Sequence, residues 1–185
     1  MDAVIPDQKA QQKSWEARFV NAVIDLCQQD KGAAARFRRA DNPATEYQSW
    51  ELLARLGINL ENERERLPAV TVVADIARAK VERNGQARLG QALAACYENS
   101  RSEENKNNPA KARLRRLLAC TELPELVRHL RPVLALIHSK SGASLDYERL
   151  LRQLNLFVAD PQRIRAQWAQ EFYGQSAEQT AEVAL

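Results

Sequence analysis

Chain-breaking residues are scarce here: 6 glycines and 7 prolines among 185 residues. That scarcity argues against a loop-rich or many-stranded fold and suits long helices joined by short turns. Only 2 histidines and 3 cysteines are present. The cysteines, Cys27, Cys96 and Cys120, are odd in number, far apart and set in apolar helical contexts, so they read as buried thiols of a reducing compartment. A zinc site needs more ligands at closer spacing. No stretch approaches the roughly 20 apolar residues of a membrane span. Residues 1–12 are polar, which predicts no secretory leader and a soluble, cytoplasmic protein without a membrane partner. Period-two alternation is missing throughout. The β-prone run Val70-Thr71-Val72-Val73 sits inside a 3.6-residue apolar period.

What is present is apolar residues, 45% of the chain, and arginine, which outnumbers lysine 20 to 7. The net charge of +3 is small, so its distribution matters more than its total. Lys31, Arg36, Arg38 and Arg39 crowd into a short alanine-rich segment with Asp41 as the one acid nearby. Like charges that close repel and weaken their own helix. A phosphate backbone offsets this, because each neutralised phosphate releases a condensed counterion. A second basic segment carries Lys111, Arg113, Arg115, Arg116, Arg128 and Arg131 against Glu122 and Glu125. Arginine's planar fork suits bidentate phosphate contact.

Along the chain, Trp15, Phe19, Val23 and Leu26 recur at helical spacing and predict a helix over 11–29, after a loose terminus at 1–8. Asp30 can cap a short basic helix that stops before Asn42-Pro43. Pro43 fits the first turn of the next helix; Tyr47, Trp50, Leu53 and Ala54 line its buried side, and Gly57 ends it. Residues 58–66 read as an acidic connection. Pro68 opens a helix with Val70, Val73, Ile76, Ala77 and Val81 inward, ended by Asn84-Gly85. The small residues from Leu89 to Cys96 allow close helix packing. Residues 99–108 hold no large apolar side chain and read as a linker. Pro109 restarts helix, with Leu114, Leu117 and Leu118 inward. Thr121 caps the next, with Pro124 in its first turn, a stripe from Leu126 to Ile137, and a kink at Pro132. Ser144 caps a helix burying Leu150, Leu151, Leu154 and Phe157. Asp160-Pro161 opens the last, in which Ile164, Trp168 and Phe172 face inward and which Gly174 closes before a flexible tail at 175–185. The fold class is all-α, with about nine helices.

Enzyme constellations are scarce. His129 and His138 share no metal spacing with the cysteines and read as surface or satisfied helical residues. Ser139 and Ser141 lie near His138, with no oxyanion-hole signature. Gly32, Gly57 and Gly90 fit no phosphate loop. Trp15, Trp50 and Trp168 each fall on an apolar stripe, so they read as core more than as base-stacking groups. Phe37, between Arg36 and Arg38, is expected to anchor its helix while Arg38 and Arg39 point outward. The chain reads as a non-enzyme with no cofactor, and its basic clusters as phosphate-binding faces.

Four segments resemble, in order, the CasB-type small subunit of the type I-E CRISPR surveillance complex, Cascade. They are Lys31-Gly32-Ala33-Ala34-Ala35-Arg36-Phe37-Arg38-Arg39-Ala40, Arg88-Leu89-Gly90-Gln91-Ala92-Leu93-Ala94, Arg113 to Leu117 with Leu126 to Leu130, and Arg163 to Tyr173 with its Trp168-Ala169. Two departures stand out: Arg88 replaces a usual Ser or Thr, and 99–108 is a long polar insert. The resemblance implies two small helical bundles, 1–98 and 109–174. It also implies partners: the other Cascade subunits (backbone and large subunit), a second copy of the chain, guide RNA and target DNA. It implies a non-catalytic role, in which basic faces hold target DNA and the displaced strand in the R-loop. Carried over, Arg38 and Arg39 match the paired arginines of the first motif, Arg113 and Arg116 the central one, and Arg131 its last piece. Lys31, Arg36, Arg115 and Arg128 are further nucleic-acid-binding candidates. The same charges would also serve a helical adaptor docking an acidic protein.

Overall fold

A computed structural model describes residues 14–96 and 109–182, the last eight of these as backbone alone. The expected loose terminus at 1–8 and linker at 99–108 lie outside the described residues. Among the described residues there are nine α-helices and no strand, with one isolated bridge between Ala87 and Leu145.

The first helix, α1 (Trp15–Gln29), starts where Ser14 Oγ accepts from the Ala17 N–H at 3.1 Å. Asp30 caps α2 (Lys31–Phe37) as expected, its Oδ1 accepting from the N–H groups of Gly32 and Ala33 at 2.7 and 3.1 Å. A turn then holds Pro43, and a 3-10 helix, Glu46–Ser49, leads into α3 (Trp50–Arg55). Pro43 therefore does not open a helix. The tighter winding also shifts phase, because a 3-10 helix repeats every three residues and eclipses i with i+3. Of the expected buried side only Leu53 is buried: Tyr47 and Trp50 are 60% and 42% exposed. Ala54 is exposed too, while Ser49, Leu52 and Leu53 are buried. Gly57, at φ 86°, ends α3 as expected, with the Ile58 N–H reaching back to the Leu53 carbonyl at 3.0 Å.

Helix α4 (Glu63–Ala79) starts ahead of Pro68, correcting the expected boundary. Asn62 Oδ1 caps it by accepting from the Arg64 N–H at 3.1 Å. Glu63 and Glu65 occupy its first turn, where the helix dipole favours acids. Lys80, in left-handed conformation, ends it short of Asn84-Gly85. Every residue from Pro68 to Ala77 is buried. A helix covered all round belongs at the centre of a fold, and α4 packs on α1 and α2 and on two later helices, α7 (Leu123–Lys140) and α8 (Tyr147–Phe157). The β-prone run stays helical inside that packing, and the Thr71 hydroxyl donates to the Leu67 carbonyl at 2.7 Å.

The remaining helices are α5 (Leu89–Ala95), α6 (Pro109–Ala119) and α9 (Pro161–Glu182). Glu122, and not Thr121, takes the capping position of α7, which continues through Pro132. Asp146 caps α8 by accepting from the Arg149 N–H at 3.0 Å. Ser144, expected there, instead offers its carbonyl to the N–H groups of Gln86 and Ala87 at 3.1 and 3.0 Å. Asp160 caps α9 as expected, accepting from the Arg163 N–H at 3.0 Å. That helix does not stop at Gly174 but runs to Glu182.

The small residues of α5 let it lie almost on the backbone of α9. A Cβ at Gly90 would stand 2.6 Å from the Trp168 carbonyl oxygen and 2.8 Å from the Phe172 nitrogen. The Gly90 N–H donates to Glu171 Oε2 at 3.3 Å, and Arg149 neutralises that buried carboxylate at 2.7 Å. One cluster of buried side chains draws on both sides of residues 97–108: Phe37, Ile76 and Leu93 with Leu114, Leu130 and Trp168.

Candidate nucleic-acid interface

Phe37 is fully buried, as its flanking arginines imply. Burying such a ring contributes about 1.5–3 kcal/mol and fixes where the basic segment points. Arg38 and Arg39, in the turn after α2, are exposed. Arg39 Nη1 donates to the neutral Gln48 Oε1 at 3.4 Å, and Arg36 pairs with Glu51 at 3.3 Å. Arg38 makes no ion pair among the described residues, while its carbonyl accepts from Arg78 Nε at 3.3 Å.

Asp41 fastens this turn to the rest of the fold. Its carboxylate takes a fork from Arg131, with Nε to Oδ2 at 2.6 Å and Nη2 to Oδ1, and a second pair from Arg78. Three elements meet on one acid: the turn after α2, the end of α4 and the middle of α7. Burial pushes the Asp41 carboxyl up, but the hydrogen bonds from Arg131 and Arg78 outweigh it and hold the group below its ordinary value. Asp41 in turn raises Arg131, against the opposing effect of burial. Arg131 therefore meets Asp41 in the free chain, whereas the sequence alone offers its fork to phosphate.

A groove of about 480 Å³ opens beside this junction, lined among others by Asp41, Pro43, Arg66, Val127, Arg128 and Arg131. Arg128, one turn before Arg131, is exposed and makes no ion pair among the described residues. Arg66 pairs with Glu46 at 2.9 Å. Arg113 and Arg116 line a different groove, about 330 Å³, with His129 and Pro132. Lys31 and Arg115 are exposed, and neither lines either groove. The structure thus places Arg128 and Arg131 with Asp41 on one groove, leaves Arg38 and Arg39 exposed in the turn that leads to Asp41, and sets Arg113 and Arg116 apart.

Sequence reasoning missed Arg66 and Arg78. Arg66 was hidden in a stretch read as a connection. For Arg78 the available signal was indirect: a lone acid beside a basic cluster attracts more than one partner.

The histidines have structural partners. His138 Nε2 lies 2.7 Å from Oδ2 of the buried Asp75, which also accepts from the Tyr147 hydroxyl at 2.9 Å. Burial, then the Asp75 charge, holds the Tyr147 phenol protonated. Ser139 and Ser141 donate to the carbonyls of Leu136 and Ile137, both at 2.9 Å, so neither hydroxyl is poised toward His138. The turn before α7 does bring Cys120 beside Glu125 and His129, with one ligand atom of each within 4.8 Å of the others, a proximity that sequence spacing concealed. Burial and Glu125 push the Cys120 thiol up, and its Sγ donates to the Arg116 carbonyl at 3.1 Å. Among the described residues no helix is long and apolar enough to cross a membrane.

A family model described as CRISPR-associated protein Cse2 matches residues 33–173. No curated protein sequence matches the chain. Solved structures do. A Cse2-family CRISPR-associated protein from Thermus thermophilus is 24% identical, covers 88% of this chain and 99% of its own, and gives a TM-score of 0.68. CasB of M. ruber is 24% identical over 92% of this chain and 98% of its own, at a TM-score of 0.69. A chain from a CRISPR RNA-guided surveillance complex is 20% identical over 91% and 97%, also at 0.69. At such identities these likenesses speak for the fold.

Proposed function

Since the chain belongs to the Cse2 family of CRISPR-associated proteins, we propose that it is the non-catalytic small subunit of an RNA-guided DNA surveillance complex, assembling with a second copy of itself and with the backbone and large subunits. In this reading its basic helix faces hold the phosphate backbone of target DNA and of the displaced strand. The observation that carries the reading is that Arg38 and Arg39, in the turn that Asp41 fastens, and Arg128, on the groove beside Asp41, are exposed and without ion pairs among the described residues. R-loop formation exchanges one duplex for another of similar stability, so a few phosphate contacts without sequence preference can tip it. Arg131 serves here by building the surface, its fork being held by Asp41. Arg113 and Arg116, with Lys31, Arg36 and Arg115, would add a second and outer set of contacts.

The test is target-DNA retention by a guide-loaded complex, assembled with and without this chain, over a salt series. The expected result is tighter retention with the chain. Reversing Arg38, Arg39 and Arg128 to Glu removes that gain and makes the salt slope shallower by about 2, at roughly 0.7 per single-strand phosphate. Assembly of the triple variant with unchanged retention and slope would overturn the reading. An acidic protein partner, captured in place of DNA, would favour the adaptor.

A further inference from the structure

Tyr47 and Trp50 are two of the few large apolar side chains left exposed among the described residues. They share one side of the 3-10 turn. The Trp50 N–H donates to the Tyr47 carbonyl, and residues three apart in such a helix eclipse one another. Their Cα positions differ by about 6 Å along the axis, at roughly 2 Å per residue. That is on the order of twice the 3.4 Å repeat of a DNA strand, so the two positions are spaced to meet alternate nucleotides.

The surroundings are basic. Arg36 and Arg55 both pair with Glu51, at 3.3 and 2.7 Å, and Arg39 bonds the neutral Gln48. Glu46 is answered by Arg66. Four guanidinium groups thus stand against two carboxylates, an excess that complements a polyanion. The indole's only donor, Trp50 Nε1, is already spent on Glu46 Oε1 at 3.2 Å. What Trp50 still offers is its ring surface, and every nucleobase has a flat π-face to lay on it, whatever the sequence.

We infer that Tyr47 and Trp50 form a base-stacking platform for single-stranded nucleic acid, beside the arginines that hold its backbone. The inference rests on the proposed nucleic-acid-binding role and adds to it a contact with bases. Stacking of this kind is tolerant of sequence, as a strand displaced by any guide requires.

The experiment compares the full-length chain's affinity for a dT 20-mer with that for an abasic 20-mer of equal charge, at low salt, by fluorescence anisotropy. The wild type is expected to bind the dT strand at least tenfold more tightly. Tyr47→Ala with Trp50→Ala removes the preference and leaves abasic binding unchanged. Tyr47→Phe with Trp50→Phe keeps most of the preference, which separates ring loss from misfolding. Equal wild-type affinity for both strands overturns the platform and leaves the phosphate reading standing. Binding of neither strand overturns both. An Ala variant that keeps its dT preference but no longer assembles with the other subunits assigns the rings to a protein contact and refutes the inference.

Discussion

Replacing Gly90 by alanine tests the closest approach in the fold. The added Cβ would lie 2.6 Å from two atoms of α9 and 2.8 Å from a third, against an ordinary contact beginning near 3.4 Å. Two of the three are backbone atoms of Trp168 and Phe172, which cannot swing aside as a side-chain tip would. The helices must therefore separate by close to 1 Å. A gap of that size forfeits about a quarter to a half of each contact it stretches, and measured overpacking costs run at about 1–3 kcal/mol. The buried bond from the Gly90 N–H to Glu171, already 3.3 Å long, weakens as well, a loss of about 1 kcal/mol. Alanine's better helix propensity returns less than about 1 kcal/mol. The net is a destabilisation of about 1–3 kcal/mol, and at about 2–4 °C per kcal/mol for a chain of this size the melting temperature falls by about 2–12 °C.

The assay is thermal unfolding followed by circular dichroism, with Gly174→Ala as the control. Gly174 lies in α9 with nothing near its missing Cβ, so alanine there leaves stability unchanged or raises it by up to about 1 kcal/mol. If Gly90→Ala melts with the wild type while the control behaves as stated, α5 and α9 do not pack backbone to backbone, and the reasoning fails.

Three further outcomes follow from the charged and buried groups. Asp41→Asn weakens both of the Asp41 arginine pairs and should cost about 1–2 kcal/mol near neutral pH, discounted because Arg78 and Arg131 stay partly solvated. Because the folded carboxyl is held below 3.8, that stability is full above the unfolded value and lost as pH falls through the folded one. The wild-type advantage in chemical denaturation should shrink as pH is lowered below 3.8, and a gap that did not shrink with falling pH would refute the assignment. His138→Ala leaves the Asp75 carboxylate, 3% exposed, with only the Tyr147 hydroxyl, and should cost about 3 kcal/mol; Tyr147→Phe should cost only about 1. Burial pushes the Cys27 thiol from 9.0 up to about 11, so at pH 8 iodoacetamide should modify it about a hundredfold more slowly than an unperturbed thiol, read by mass spectrometry.

Helix positions were legible wherever one period ran unbroken. The stripe of α7, the Asp160-Pro161 start of α9 and the inward set Ile164, Trp168 and Phe172 needed only the 3.6 repeat and local capping chemistry. Errors fall where another geometry intervenes. An α-helical phase carried through residues 46–50 puts Tyr47 and Trp50 in the core, but this is a 3-10 turn, where the repeat is three. Proline's preference for a first turn points to Pro68 as a helix start, although Asn62 offers a cap six residues earlier and Glu63 and Glu65 a suitable first turn.

The site was legible as a composition and not as an assignment of tasks. Arg128 and Arg131 lie one turn apart on α7, and nothing local distinguishes them. The structure gives Arg131 an acid 90 residues away and leaves Arg128 without an ion pair among the described residues. That difference decides their chemistry. To meet a phosphate, Arg131 must first surrender a bidentate bond to a nearly buried carboxylate, whereas Arg128 surrenders only water. The same comparison ranks Arg38 above Arg36, which is held by Glu51. Phosphate affinity should therefore follow the unpaired arginines, while loss of Arg131 should show first as loss of stability. Charge reversal at Arg128 and at Arg131, each scored for both melting temperature and salt slope, separates the two roles on a single helix.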